Sequence, residues 1–371
     1  MPPPSPPAPR PSFWDRVTEG SSLGQLWTQI KNDSLLSYRL YARDSEAQRA
    51  LIGRPGAGTR RSTVKAFFWA MLTKLSPAKR VVLLAALIMI FFGKFDFNGG
   101  SVDFAGIGIL LLLGLLFLEI ADRVTLKRDL EIAREIQLWL LPTQPPAVPG
   151  AEVAFFNRPA NTVSGDLYDA FWRDGGGARR LVVTVADVAG KGMPAALLMA
   201  TFQAGLRAMS EGAASVAEIA AGLNRQAIAH SVGGERFTTA FIAEYDPERQ
   251  EMRYVNAGHN PALLCRNGQG SGPEPLSAGG PPLGILPEAA YELGTAALAP
   301  GDVVFVFSDG LTEAAAPNGS DYGEARLRAL LAQRRGCSAE ELVRIVMADF
   351  ERFTAGTPRQ DDVTCLVLRR V

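Results

Sequence analysis

Beyond residue 150 this chain is a succession of short apolar runs, and several of them give way to aspartate at their ends. Runs at 152–157, 168–173, 180–186, 237–245, 252–256, 261–265, 302–308 and 363–369 read as strands. Apolar periodicity predicts helices over 193–209, 215–230, 323–334 and 338–353. From 237 to 265 strand follows strand with no helix between, and Asp246-Pro247 turns one into the next. That order favours antiparallel pairing and an α+β layering over a doubly wound parallel sheet.

The aspartates carry the chemical signal. Asp166 lies in Ser164-Gly165-Asp166-Leu167-Tyr168-Asp169, and Asp187 ends the run that starts at Leu181. Asp309 ends Val303–Ser308, and Asp361 with Asp362 opens the last strand. A carboxylate at the tip of an apolar strand is costly to bury unless something positive meets it. Several such tips converging would make an oxygen-rich pocket suited to Mg2+ or Mn2+. Two such cations can lower the pKa of a shared water from 15.7 to about 7 and orient a phosphate for in-line attack. Metal-dependent phosphoryl transfer is therefore the leading chemistry. Without metal, the carboxylates repel and raise one another's pKa values. Taken singly, each Asp reads as a turn or cap residue, and Asp169 and Asp302 are assigned that structural role.

Other features exclude rather than point. Lys+Arg and Asp+Glu both total 38 in 371 residues, which argues against a nucleic-acid partner. Cys265, Cys337 and Cys365 are odd in number and widely spaced, with no CxxC pair; the first and last read as small core residues. Only His230 and His259 are present, which nearly removes a His-rich zinc site. Gly190-Lys191-Gly192 lacks the upstream Gly and following Ser or Thr of a P-loop. His259, in Asn256-Ala257-Gly258-His259-Asn260-Pro261, reads as a hydrogen-bonded turn residue, with a phosphate contact or acid as the alternative.

The first eleven residues contain seven prolines, and 1–60 reads as a Pro-rich tail and a poorly defined segment. Residues 81–93 and 104–118 carry no charge, with a short polar loop between them. Each run is shorter than the ~20 residues that span a bilayer, but flanking Lys79 and Arg80 can snorkel. The expectation is a transmembrane helical hairpin over 61–122, against core helices of a soluble bundle. Basic residues outside the pair put both ends in the cytoplasm of a multi-pass inner or cytoplasmic membrane protein. Residues 123–145 form a linker helix in which Leu126, Leu130, Ala133, Gln137 and Leu140 repeat at 4-3-4-3 spacing. It reads as a dimerising signal helix or as a helix packed on its own domain. Pro142, Pro145, Pro146 and Pro149 end it, and 146–371 forms the remaining domain.

Five motifs in order then become recognisable: 164–169, 186–197 (Ala-Asp-Val-Ala-Gly-Lys-Gly-Met-Pro-Ala-Ala-Leu), 256–261, 307–314 (Phe-Ser-Asp-Gly-Leu-Thr-Glu-Ala) and 361–364 (Asp-Asp-Val-Thr). Over about 125–371 the chain resembles the SpoIIE/RsbU branch of the metal-dependent, protein phosphatase 2C-like (PPM) serine/threonine phosphatases. The resemblance implies an α+β sandwich of two packed antiparallel sheets flanked by helices, with two Mn2+ or Mg2+ ions at one edge. Carried over by motif, Asp187 would bridge both ions and the Val188 carbonyl would join the second. Asp309 and Asp361 would hold the first, and Asp166 would contribute to the second. Ser164 stands where the family has Gly. Lys191 is a candidate phosphate contact. The implied substrate is a phosphoserine or phosphothreonine on a STAS-type anti-sigma-factor antagonist. A homodimer through the linker helix and a switch formed by helices 193–209 and 215–230 are further expectations. The alternative is a membrane-bound scaffold of the same fold without catalysis. A nucleotide cyclase, also a two-metal enzyme, lacks its base- and ribose-reading motifs here.

Overall fold

The computed structural model describes residues 75–371 apart from 98–99, 176–177, 213–214, 231–235, 269–271, 335 and 358–359. The Pro-rich tail and the segment to residue 60 lie outside these. Two compact units divide between Arg123 and Val124.

In the first unit, α1 (Pro77–Phe92) starts at Ser76, whose side chain accepts from the Lys79 amide, and stops at Gly93, which has φ 63°. A hairpin of β1 (Lys94–Phe97) and β2 (Gly100–Asp103) follows where the sequence reads as a polar loop. Helix α2 then runs over Phe104–Leu140 without a break, so the apolar run and the charged linker are one element. Close packing of α1 on α2 uses Gly108, where a Cβ would meet the Ala86 carbonyl at 2.7 Å. Lys79 pairs with Glu119 and Asp122 across the two helices. Among the described residues α2 alone is long and apolar enough to cross a membrane; α1, at 16 residues, is shorter.

The second unit holds two sheets. One is ordered β10-β7-β6-β5-β4, with β11 also paired with β7, along the edge that β10 uses. Its strands are β4 (Leu167–Gly175), β5 (Ala178–Val188), β6 (Thr238–Asp246), β7 (Glu251–Ala257), β10 (Gly279–Gly280) and β11 (Gly294–Ala297). The other is ordered β3-β13-β12-β8-β9, from β3 (Ala151–Arg158), β8 (Ala262–Cys265), β9 (Glu274–Leu276), β12 (Val303–Phe307) and β13 (Val363–Arg370). Among the described residues every named strand pair is antiparallel except the two-residue β10 with β7, in keeping with the antiparallel expectation. Alternation decides the layers. Val304, Val306, Leu366 and Leu368 share one core with Val183, Val185, Phe241 and Val255 of the other sheet. Phe305, Phe307, Cys365 and Val367, one residue out of phase, pack under α6 (Glu324–Gln333) and α7 (Ala339–Phe353). Helices α3 (Met193–Ser210) and α4 (Val216–His230) cover the first sheet through Met199, Leu206, Ile219 and Leu223. The short α5 (Asp309–Thr312) follows β12.

Candidate metal centre

The aspartates sit where strands of both sheets end. Asp187 is the next-to-last residue of β5, paired across the ladder with Thr239. Asp166 immediately precedes β4, Asp309 opens α5, and Asp361 with Asp362 immediately precedes β13. Two glycines let these segments approach. A Cβ on Gly310 would lie 2.0 Å from the Asp362 carbonyl, and one on Gly165 would touch the Val188 carbonyl at 3.2 Å. The first contact would force the backbone apart; the second would need the Val188 carbonyl to give by a few tenths of an ångström.

A cleft of about 340 Å³ results, lined by Asp187, Val188, Lys191, His259, Asp309, Glu313 and Asp361. Among the described residues no three His, Cys, Asp or Glu side chains close on one point; the carboxylates ring the cleft instead. Their electrostatics are those of a site short of positive charge. Burial, then the charges of Asp309 and Asp361, pushes the Asp187 carboxyl up to about 7. Burial, then Asp361 and Glu313, raises Asp309, with Lys191 acting against them. Asp166 is 2% exposed and lies well above the usual carboxylate range, through burial and then the charge of Asp187. The hydroxyls of Thr364 and Ser308 oppose that shift. Its Oδ2 has no hydrogen-bond partner among the described residues. Carboxylates gathered along one cleft, with the buried Asp166 Oδ2 unpartnered among the described residues, are oxygen donors of the kind a hard divalent cation takes, so their chemistry fits such an ion.

Lys191 follows Gly190, which has φ 112°, and its Nζ lies 2.9 Å from Asp361 and 2.5 Å from the Gln360 carbonyl. With 55% of its side chain exposed, this ammonium can exchange partners. His259 is buried. Its Nδ1 lies 2.9 Å from the Thr239 hydroxyl, and its amide donates to Asn256. Burial holds its pKa down to about 4, against the Phe307 carbonyl, so the ring is neutral at physiological pH. The turn role expected for His259 fits these contacts.

Asp169 and Asp302 take structural roles. Fully buried Asp169 accepts two bonds from Arg207 and one from Gln203, and Asp302 closes a turn on Ala299, Arg266 and Asn267. Three residues matter more than their sequence context indicates. Asp362 accepts from the Ala160 amide, the Ser164 hydroxyl and the Gly165 amide, tying the Asp166 loop to the start of β13. Ser164 also accepts from the Asp166 amide, so the residue standing in place of Gly holds the loop itself. Gln137 is 6% exposed; its amide donates to the Ser164 carbonyl and accepts from the Ser164 amide. In the heptad reading Gln137 belongs to a seam. In the structure it faces the Asp166 loop, because burial of an amide is tolerated where both its groups are paired. The doublet Asp361-Asp362 was a readable signal; Gln137 carried none.

The chain is similar to several known proteins. Residues 177–371 match the family model described as stage II sporulation protein E (SpoIIE). The chain is 30% identical over 251 residues to phosphoserine phosphatase RsbU of Bacillus subtilis, covering 66% of this chain and 71% of that protein. It is 28% identical over 207 residues to phosphoserine phosphatase RsbP of the same organism, covering 54% and 48%. Among solved structures, the SiaA-PP2C domain of Pseudomonas aeruginosa superposes with TM-score 0.58 at 21% identity, covering 67% of this chain and 98% of that one. The RsbU and RsbW domains of Rv1364c from Mycobacterium tuberculosis give 0.53 at 25%, covering 62% and 63%.

Proposed function

We propose that this chain, which belongs to the SpoIIE family, is a membrane-anchored protein serine/threonine phosphatase that works with divalent metal. The observation that carries the metal site is the group of carboxylates around one cleft, with Asp187 raised to about 7 by burial and its neighbours. Asp187 would hold both ions, with the Val188 carbonyl and Asp166 on one and Asp309 and Asp361 on the other. When bound, Mn2+ or Mg2+ supplies a water ionised near neutral pH and neutralises phosphate oxygens. The residues do the rest. Asp187, Asp309 and Asp361 fix where charge can gather at the cleft wall. Lys191, released from Asp361, reaches a phosphate oxygen as a mobile cation. His259 stays neutral and positions the start of β6 through Thr239.

The substrate class follows the relatives whose names describe phosphoserine phosphatases. It is a phosphoserine or phosphothreonine on a signalling protein, with a STAS-type anti-sigma-factor antagonist the first candidate. The first unit anchors the chain. Phe91, Leu110 and Phe117 are each more than two-thirds exposed, a surface suited to lipid. Residues 61–122 are then a membrane hairpin, 123–145 a linker helix able to pair with a second copy, and 146–371 the phosphatase in the cytoplasm. Helices α3 and α4 act as a switch on the site. The test is hydrolysis of p-nitrophenyl phosphate by the full chain in detergent with Mn2+. Asp187→Asn should lose on the order of a hundredfold or more in rate, the scale of removing a charge partner at a reacting centre. Retention of most activity would overturn the assignment.

A further inference from the structure

The two helices of the first unit are tied together at both ends. At one end the Gly93 carbonyl accepts from the Ala105 amide at 3.2 Å. At the other, Lys79 pairs with Glu119 at 3.0 Å and with Asp122 at 2.5 Å. From Lys79 to Gly93 and from Ala105 to Glu119 the chain advances by the same number of residues. At 1.5 Å per residue both legs therefore measure about 21 Å. Charge is confined to the ties and beyond. Residues 81–92 and 104–118 carry none, while Lys94, Asp96 and Asp103 lie past the Gly93 end. Between the ties Leu84, Ile88, Leu110, Leu113 and Leu116 are exposed, and Ala86 and Gly108 are buried where the helices meet.

This pattern fixes how the pair meets lipid. Among the described residues neither leg has a polar face over this length, so the pair cannot lie along a surface as amphipathic helices do. Charges at both ends keep it from stopping inside hydrocarbon, so it crosses. Its apolar height of about 21 Å is short of the ~30 Å of an ordinary hydrocarbon core. A helix that is too long can tilt, but one that is too short leaves the lipid to adapt. Snorkelling by Lys79 does not make up the difference, because two carboxylates hold its ammonium. We propose that the first unit is a surface for a thin bilayer, one that takes phospholipids with short acyl chains in preference to long ones. The inference rests on the membrane-anchor reading and deepens it by naming the lipid.

The experiment places an indole at mid-span. The full chain with Leu113→Trp is reconstituted in mixtures of a fourteen-carbon and a twenty-two-carbon phosphatidylcholine, with one or the other brominated. Fluorescence quenched beyond that of the unaltered chain reads which lipid touches residue 113. The fourteen-carbon lipid should be favoured roughly fivefold, the scale of a modest cost per ångström over a mismatch of about 9 Å. Lengthening both legs by two helical turns, roughly seven apolar residues or about 10 Å after Leu87 and after Leu111, should reverse the preference. Hydrolysis of p-nitrophenyl phosphate checks that the phosphatase unit of each chain is folded, and the first comparison decides by itself if the lengthened chain does not reconstitute. Equal quenching by both lipids, or a short-chain preference that survives the lengthening, would overturn the thin-bilayer surface and leave the anchor standing. No added quenching by either lipid would end both.

Discussion

At the scale of single residues, the cleft works by contrast between neighbours of one chemistry. Asp187 is pushed up by burial and by Asp309 and Asp361, Asp309 by burial and by Asp361 and Glu313, and Asp166 by burial and by Asp187, whereas Asp169, fully buried, accepts hydrogen bonds from Arg207 and Gln203. His259 offers a measurement of its own. Its folded pKa of about 4 lies below the ordinary 6.5, so the unfolded chain takes up a proton that the folded one refuses. Stability from this residue is present above pH 6.5 and is lost as the pH falls toward 4. Against His259→Asn, thermal denaturation of the parent chain should show an extra loss of roughly 3 kcal/mol across that window, the equivalent of the shift. The carboxylates are common to both proteins and cancel in the difference; parallel curves would contradict a buried neutral ring. Gln137→Ala should cost about 2 kcal/mol or more, because the Ser164 amide and carbonyl lose their side-chain partner in a buried place. Calorimetry on the purified chain reads that directly.

At the scale of elements, the strands were legible because their periodicity is strong. All eight expected strands and the four later helices are present with ends shifted by one or two residues. The short pieces were not. Strands β9, β10 and β11 have two to four residues each and owe their pairing to β7 and β8 rather than to any local pattern. The boundary between the apolar run and the linker also failed to show, since helix continues through Glu119–Arg123 whatever the polarity of its faces. In the site, the ligand candidates stood at readable strand ends, whereas the contacts that hold them, Gln137 on Ser164 and Ser164 on Asp362, depend on folding alone. Gly310→Ala tests that close approach. Its methyl has no room beside the Asp362 carbonyl, so the start of α5 and the 361–362 segment must separate, at about 1–3 kcal/mol. Mn2+ affinity measured by titration calorimetry should fall with stability; unaltered affinity would mean that the segment relaxes freely.

At the scale of the whole molecule, apolar surface is unevenly placed. Large apolar side chains lie exposed along α1 and α2, while the two sheets and the helices that cover them bury most of theirs in two cores. The chain should therefore sediment with membranes and resist alkaline carbonate washing, coming free only in detergent; recovery in the wash would refute the anchor. One further consequence lies in β13, which sits between β3 and β12 in its sheet and brings Asp361 and Asp362 with it. During translation residues 361–370 leave the ribosome after every other part of the cleft. A nascent polypeptide paused before them has an unfilled slot in its sheet and lacks the Asp362 carboxylate that ties down the 160–165 loop, so hydrolysis must wait until synthesis has passed that point.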